Sequence, residues 1–176
     1  MRRSVLVTSM ATLVVVAALS IFLATRQPIS VATSAPSPLL GRAAPAVSGS
    51  QLGGGTFRLI DHLGQIVVLN FWASWCGPCA SEAPELSTFA WRERSHGVVV
   101  VGVVVNDSVA AATAFAHHYG SLYRSIIDPG GVIANRFGVT SPPTTFIIDR
   151  RGRVAVTLLG PTSARQLSSV VAQVDR

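Results

Sequence analysis

The feature that most constrains this chain is a pair of cysteines placed directly after a buried strand. Residues 66–72, Ile-Val-Val-Leu-Asn-Phe-Trp, form an almost unbroken apolar run rich in β-branched side chains. Such a run predicts a strand that is buried in a parallel sheet. Cys76-Gly77-Pro78-Cys79 then opens a segment of helical character, with Pro78 in the first turn, where its missing N–H costs nothing. The chain is therefore predicted to hold a dithiol at a strand–helix junction.

This placement gives the two thiols different chemical tasks. Unpaired N–H groups and the positive end of the helix dipole stabilise a thiolate at Cys76, and the thiolate is the attacking species in disulfide exchange. Cys79 lies one turn further along, where it can resolve a mixed disulfide by intramolecular attack. Because the chain has only these two cysteines, it cannot form a four-cysteine zinc site. A redox-active dithiol is predicted, with a static disulfide or half of a shared metal site as alternatives.

The order of the other elements predicts an α/β fold. Parallel strands joined by helices come first and an antiparallel hairpin follows, which predicts a mixed central sheet flanked by helices on both faces. A turn at 150–152 connects the hairpin, and Pro84 is expected to kink the helix that follows the dithiol. The predicted strands are 56–59, 66–72, 98–105, 125–127, 145–148 and 154–158, and the predicted helices are 81–94, 108–119, 132–137 and 163–174.

The N-terminal residues have the composition of a membrane segment followed by a linker. Residues 4–25 carry no charge and would span about 33 Å as a helix, enough for a bilayer core. A secretory signal has a shorter apolar region, so a membrane anchor or uncleaved signal over residues 1–26 is favoured over cleavage and secretion. Arginines precede the run, which places the following domain outside the cytoplasmic membrane after a single pass. Residues 27–44, rich in Pro, Ser and Ala, are predicted as a tether and residues 45–176 as the folded domain.

The net charge of +6 does not indicate a nucleic-acid partner. The basic residues are all arginine and are scattered, apart from a group at 150–153, so they do not form a phosphate-binding stripe. The absence of lysine excludes Schiff-base chemistry. No metal or other cofactor is expected, because the histidines show no metal-like spacing (His62, His96, His117 and His118).

Several segments of the chain resemble a known family. Residues 70–79, Asn-Phe-Trp-Ala-Ser-Trp-Cys-Gly-Pro-Cys, look like the active-site stretch of thioredoxins. Three further segments are similar to the membrane-anchored, extracytoplasmic TlpA/ResA/DsbE-type branch, namely 79–84, 128–139 and 142–152. The resemblance covers residues 45–174. It implies a thioredoxin fold with an N-terminal strand extension and a central β-α insert, and the activity of a thiol–disulfide oxidoreductase on protein thiols and disulfides.

The same resemblance implies how substrates bind. In the family, the proline before Thr144 is cis and faces the dithiol, which corresponds to Pro143, and the neighbouring backbone pairs with the substrate peptide. The preceding residue is Pro142, which has no N–H, so one expected substrate hydrogen bond is missing. A rigid Pro-Pro turn without a substrate role is the alternative. The predicted substrate-binding residues are Trp75, Gly77, Pro78, Pro142, Pro143 and Thr144.

Two further positions concern proton transfer. Thioredoxins carry a buried aspartate six residues before the first cysteine, which relays the proton of the resolving thiol, whereas this chain has Asn70, which cannot titrate. Glu82 resembles the acid that the branch places near the dithiol, and it is the predicted general base for Cys79. The alternative is an exposed glutamate in the first helical turn, favoured by the helix dipole. The predicted catalytic residues are Cys76, Cys79 and Glu82.

The sequence is compatible with either direction of electron flow. A reductant would keep the haem-attachment cysteines of apocytochrome c reduced, with a membrane thiol donor, whereas an oxidant would form disulfides in secreted proteins, with a membrane acceptor. The Gly77-Pro78 dipeptide resembles that of reducing thioredoxins and favours reduction. A peroxiredoxin-like peroxidase is disfavoured because both cysteines lie in one CxxC. A non-catalytic, tethered peptide-binding module is the alternative from another class, and the chain is expected to be a monomer.

Overall fold

The computed structural model describes residues 17–18 and 32–176. The predicted anchor at 1–26, apart from residues 17–18, and the first part of the tether lie outside these residues. Residues 31–176 belong to one compact unit. Within the described residues, no helix is both long enough and apolar enough to cross a bilayer.

The described residues contain eight strands and four α-helices. The strands are β1 (Thr33–Ser34), β2 (Ser48–Ser50), β3 (Thr56–Arg58), β4 (Ile66–Trp72), β5 (Val98–Val105), β6 (Arg124–Asp128), β7 (Thr144–Ile148) and β8 (Val154–Leu159). The helices are α1 (Gly77–Glu93), α2 (Val109–His118), α3 (Val132–Phe137) and α4 (Ala164–Val174), and Leu59–His62 form one 3-10 turn.

Six strands form the predicted mixed sheet, in the order β1-β8-β7-β4-β5-β6. The strands β4, β5 and β6 run parallel to one another. Strand β7 runs antiparallel to β4, β8 runs antiparallel to β7, and β1 runs antiparallel to β8. The segment predicted as the strand 56–59 lies outside this sheet. It pairs with β2 in a two-stranded ribbon, and Leu59 belongs to the 3-10 turn. The central sheet and its flanking helices confirm the predicted fold class.

Strand β4 is buried along its whole length and divides the core into two faces. Val67, Leu69 and Phe71 point to the face that packs against α3 and the β2–β3 ribbon. Ile66 and Val68 point to the opposite face, which packs against α1 and α4. Each such side chain, fully buried, stabilises the fold by about 1.5–3 kcal/mol. The alternation places the intervening Asn70 on the same face as α1.

The segment 32–44 belongs to the folded unit, whereas the sequence predicts it as part of the tether. Ala32 is buried, and its N–H donates to the carbonyl of Pro161 at 2.9 Å. Strand β1 then pairs with β8 at the edge of the sheet. Two isolated bridges continue this contact, Leu40 with Val154 and Ala43 with Arg153. The difference arises because an open sheet edge accepts any backbone, whatever its side-chain pattern.

Side-chain caps fix the starts of the helices. The hydroxyl of Ser108 accepts from the N–H of Ala111 at 3.1 Å and caps α2. The hydroxyl of Ser163 accepts from the N–H of Gln166 at 3.2 Å and caps α4. Such a cap stabilises a helix by about 1 kcal/mol. Pro84 lies inside α1, where the sequence predicts a kink.

Substituting Gly102 by alanine is expected to destabilise the protein by about 2 kcal/mol, because the core has no room for the added methyl group. A Cβ at Gly102 would collide with the hydroxyl of Ser125 and the indole of Trp72, which hydrogen-bond each other at 3.2 Å. The free energy of unfolding from urea denaturation measures the loss. Gly77→Ala is the matched control, because a Cβ there meets open space. Equal stability of both variants would contradict the tight packing.

Candidate active site

The two cysteines form a disulfide at the start of α1. Their Cα atoms lie 5.3 Å apart and the S–S distance is 2.06 Å. Cys76 is the N-cap of the helix, and its Sγ accepts from the N–H of Cys79 at 3.2 Å. Cys76 is 5% exposed and Cys79 only 2%. Both cysteines are therefore buried, and Cys76 is the slightly more exposed residue of the two.

Glu82 is buried one turn after Cys79 and is not the exposed first-turn glutamate of the alternative interpretation. Its Oε1 accepts from both the N–H and the hydroxyl of Thr162, at 2.9 and 2.8 Å. Its Oε2 accepts from the Nδ2 of Asn70 at 2.9 Å. Spacing of three residues places Cys79 and Glu82 on the same face of α1. The carboxyl group is thus held in a fixed position on the inner face of the helix.

Asn70 occupies the position of the thioredoxin aspartate and serves Glu82 as a hydrogen-bond donor. It is completely buried, and its Nδ2 also donates to the hydroxyl of Thr145 at 2.9 Å. Its Oδ1 is buried without a hydrogen-bond partner among the described residues. Because an amide can rotate to exchange its two ends, Asn70 can either donate to or accept from a neighbour at position 82.

Burial changes the proton affinity of this cluster. Desolvation raises the pKa of Glu82 above its ordinary value of 4.5, although the hydrogen bonds from Thr162 and Asn70 act in the opposite direction. Desolvation also raises the pKa of Tyr123, and the charge of Glu82 adds to that effect. A carboxyl group with a raised pKa holds and releases a proton at a pH closer to neutrality.

The loop before the dithiol is anchored to the end of β5. The N–H of Ser74 donates to the carboxylate of Asp107 at 2.6 Å. The indole N–H of Trp75 donates to the carbonyl of Asn106 at 3.2 Å, while the ring itself is 60% exposed. Trp72, by contrast, is buried in the core beside Phe115. Trp75 therefore presents a large apolar surface next to Cys76.

Pro143 lies at the same end of the sheet as the dithiol. The peptide bond between Pro142 and Pro143 is cis, as the resemblance implies. Thr144 begins β7 and pairs with Phe71, one residue before the end of β4. The carbonyl of Pro143 accepts from the N–H of Gly160 at 3.0 Å. Backbone pairing thus brings residues far apart in sequence to the edge from which Cys76 extends.

Two parts of this site have no signal in the sequence. Thr162 is 80 residues from Glu82, and nothing in the sequence pattern links the two. Asp107 binds Ser74 across 33 positions, and no motif connects them. Among the described residues, no group of three or more His, Cys, Asp or Glu could hold a metal ion.

The chain is similar to several known proteins. Residues 40–157 match the AhpC/TSA family. The thiol:disulfide interchange protein DsbE homolog of Paracoccus denitrificans is 40% identical over 129 residues, which cover 72% of this chain and 69% of the relative. The thiol-disulfide oxidoreductase ResA of Bacillus thuringiensis is 30% identical over 135 residues, covering 77% of this chain and 78% of the relative.

Solved structures support the same assignment. A structure described as the thiol:disulfide interchange protein DsbE of Chlorobium tepidum superposes with a TM-score of 0.70 at 30% identity, covering 75% of this chain and 94% of the other. A DsbF homologue of Corynebacterium diphtheriae gives a TM-score of 0.68 at 31% identity, covering 75% and 86%. The chain therefore belongs to the thioredoxin-like AhpC/TSA family and is a thiol–disulfide oxidoreductase of the DsbE and ResA type.

Proposed function

We propose that this oxidoreductase acts outside the cytoplasmic membrane as a reductant of protein disulfides, with Cys76 as the attacking thiol and Cys79 as the resolving thiol. Residues 4–25 anchor it in the membrane by a single pass. Its substrates are the haem-attachment cysteines of apocytochrome c, and a membrane protein dithiol supplies its electrons. The protein works as a monomer.

The observation that supports the reducing direction is that α1 adds few groups to stabilise a Cys76 thiolate beyond the helix N-terminus itself. The sulfur accepts one hydrogen bond, from the N–H of Cys79, and Pro78 has no N–H to add a second. The only basic side chain in α1 is Arg92, in its last turn. Strong oxidants of this kind have a stabilised reduced form. Weak stabilisation of the thiolate favours the disulfide instead, which makes the dithiol a reductant.

The reaction proceeds in two exchanges. The Cys76 thiolate attacks one sulfur of a substrate disulfide, that S–S bond breaks, and one substrate cysteine leaves as a thiolate. Glu82 then takes the proton of Cys79, and the Cys79 thiolate attacks Cys76 in the mixed disulfide. The Cys76–Cys79 disulfide forms and the second substrate thiol is released. Two electrons pass from the enzyme to the substrate, and the membrane donor restores the dithiol while its own thiols become a disulfide.

The exposed groups around the dithiol supply the substrate site. Trp75 offers an apolar surface beside Cys76, and Gly77 and Pro78 keep the start of α1 free of bulky side chains. On the other side, Pro142, Pro143 and Thr144 form the backbone along which a substrate peptide adds as an extended strand.

The reduction potential of the Cys76–Cys79 pair is expected to be about −250 mV or lower, in the range of thioredoxin. Equilibration of the full chain in detergent against dithiothreitol, with trapping of the free thiols, measures it. A value near −120 mV, typical of strong oxidants, would contradict the reducing role and make the enzyme a disulfide-forming catalyst.

The membrane attachment and the substrate are tested in cells. The intact chain should sediment with membranes, and replacing residues 1–31 by a cleavable secretion signal should release the domain as a soluble extracytoplasmic protein. Cells that lack the enzyme should lose covalent haem attachment to c-type cytochromes and regain it with added external thiol. Normal haem attachment in such cells would exclude apocytochrome c as the substrate.

A further inference from the structure

A small polar cleft lies beside Trp75, the residue before Cys76. Its volume is about 140 Å³. Trp75, the neighbour of Cys76, forms one wall, and Pro142, the neighbour of Pro143, forms another. The cleft therefore lies between the two segments that we propose flank a bound substrate.

Hydrogen bonds connect the segments that form the cleft. The indole N–H of Trp75 donates to the carbonyl of Asn106, and the carboxylate of Asp107 accepts from the N–H of Ser74. Asn106 has a φ of 48°, a left-handed conformation that asparagine tolerates better than most residues. Its side-chain oxygen lies close to Gly131, at the start of α3, so this turn contacts both walls. The cleft is thus a formed feature of the fold.

Helix α3, which contributes to the lining of the cleft, is held at its start by Asp128. The carboxylate of Asp128 accepts from the N–H groups of Ile133 and Ala134, each at 2.9 Å. Asn135 follows on the same helix and lines the cleft. The hydrogen bonds from Asp128 thus fix the backbone of the helix that carries Asn135.

The lining selects one class of side chain. The polar groups are those of Asn106, Asn135, Thr140 and Ser141, which can both donate and accept hydrogen bonds. No charged side chain lines the cleft. Binding a charged group there would cost its desolvation without a counter-charge. Pockets for free small molecules measure about 300–1,000 Å³, so this volume suits a single side chain.

From this geometry we infer that the cleft binds the substrate residue next to the reacting cysteine and selects an uncharged, hydrogen-bonding side chain such as Asn, Gln, Ser or Thr. The inference rests on the proposed exchange with protein cysteines and names the determinant of its selectivity. Pro142 has no N–H to offer a substrate backbone, so side-chain contacts carry more of the recognition at this position.

The experiment compares peptides that differ only at the residue flanking a single cysteine, which is held as a mixed disulfide with glutathione. One series varies the preceding residue and another the following residue, with Asn, Leu or Glu in each. The reduced full-length enzyme in detergent is mixed with each peptide, and the second-order rate constant is followed by the change in tryptophan fluorescence. In one of the two series, the one whose varied residue enters the cleft, the Asn peptide is expected to react about five- to tenfold faster than the Leu and Glu peptides.

The matched variants are Asn135→Leu and Gln173→Leu. Asn135→Leu replaces a polar wall by an apolar one, and the ratio of the Asn to the Leu peptide should fall to about one. Gln173→Leu makes the same change on the exposed surface of α4, far from the cleft lining, and should keep the wild-type ratio. If Asn135→Leu does not fold, the double variant Thr140→Val with Ser141→Ala removes two polar groups with little change in size.

The outcomes separate the cleft from the general function. Equal rates for all three peptides in both series, or a wild-type ratio in folded cleft variants, would overturn the inference while the oxidoreductase function stands. Failure to react with any peptide would contradict the proposed exchange with protein cysteines itself.

Discussion

Replacing Cys76 by serine is expected to abolish disulfide exchange, with a loss on the order of 10³-fold or more. Cys76 is the N-cap of α1 and the more exposed of the two cysteines, so its thiolate carries the first attack on the substrate. A serine hydroxyl is not ionised near neutral pH and cannot take its place. Insulin reduction by the full-length protein, with dithiothreitol as the electron source, measures the loss.

The matched control is Cys79→Ser, which keeps the first attack and removes the second. This variant should accumulate a mixed disulfide with the substrate through Cys76, visible on non-reducing gels, because Cys79 no longer resolves it. Retained insulin reduction in Cys76→Ser would contradict the assignment of the attacking thiol. Peptide binding and biological function that both survive the substitution would favour the non-catalytic binding module.

The long buried strands could be predicted from the sequence because a strand that is buried on both faces consists almost entirely of apolar side chains. The predicted bounds 66–72 and 98–105 are those of β4 and β5, since unbroken apolar, β-branched runs have few alternatives. Strands β1 and β2 are different. The strand β2 is Ser-Gly-Ser, which carries no apolar alternation, and it is defined by backbone pairing with β3. Short strands of this kind form only where a neighbouring strand offers free backbone groups for pairing. The residue pattern of the short strand itself does not show whether such a neighbour is present.

The candidate site likewise contains residues that the sequence could predict and surroundings that it could not. Cys76, Cys79 and Pro143 could be predicted as site residues because they lie within local motifs. In the structure the two cysteines form a disulfide, and the peptide bond before Pro143 is cis. The surroundings of Glu82 could not, because its partners Thr162 and Asn70 come from other strands and loops of the fold. Helical position alone suggests exposure near the start of α1, whereas the carboxyl group is buried and held by hydrogen bonds from Asn70 and Thr162.

Replacing Glu82 by glutamine is expected to slow resolution of the mixed disulfide by about 10²-fold, the usual contribution of a general base. The first attack by Cys76 should be unaffected, because it needs no proton from Cys79. Glutamine keeps the size of the side chain, and Asn70 can rotate its amide to accept from it. Rapid mixing with a glutathionylated peptide and acid quenching at successive times separates the two steps. Equal resolution rates in both proteins would show that Glu82 is structural.

The pH dependence gives a second readout of the same substitution. Because burial raises the pKa of Glu82, the folded protein keeps this proton over a pH range in which the unfolded chain, with a value near 4.5, has lost it. The resulting stabilisation is fully present below the unfolded pKa and is lost as the pH rises through the raised folded pKa. The free energy of unfolding of the oxidised protein should therefore fall over that window, and Glu82→Gln should lack this fall.

Resolution and stability should change over the same pH range if one proton controls both. In the wild type, the resolution rate should rise as Glu82 loses its proton, because only the carboxylate can accept the proton of Cys79. Stability falls over that range because the same ionised carboxylate is buried on the inner face of α1. Burial destabilises the ionised carboxylate and raises the pKa of Glu82, which brings its proton affinity closer to that of the Cys79 thiol. If Glu82→Gln loses the pH dependence of both the resolution rate and the free energy of unfolding, both effects belong to this residue. If the resolution rate of the variant still rises with pH, another group accepts the proton of Cys79.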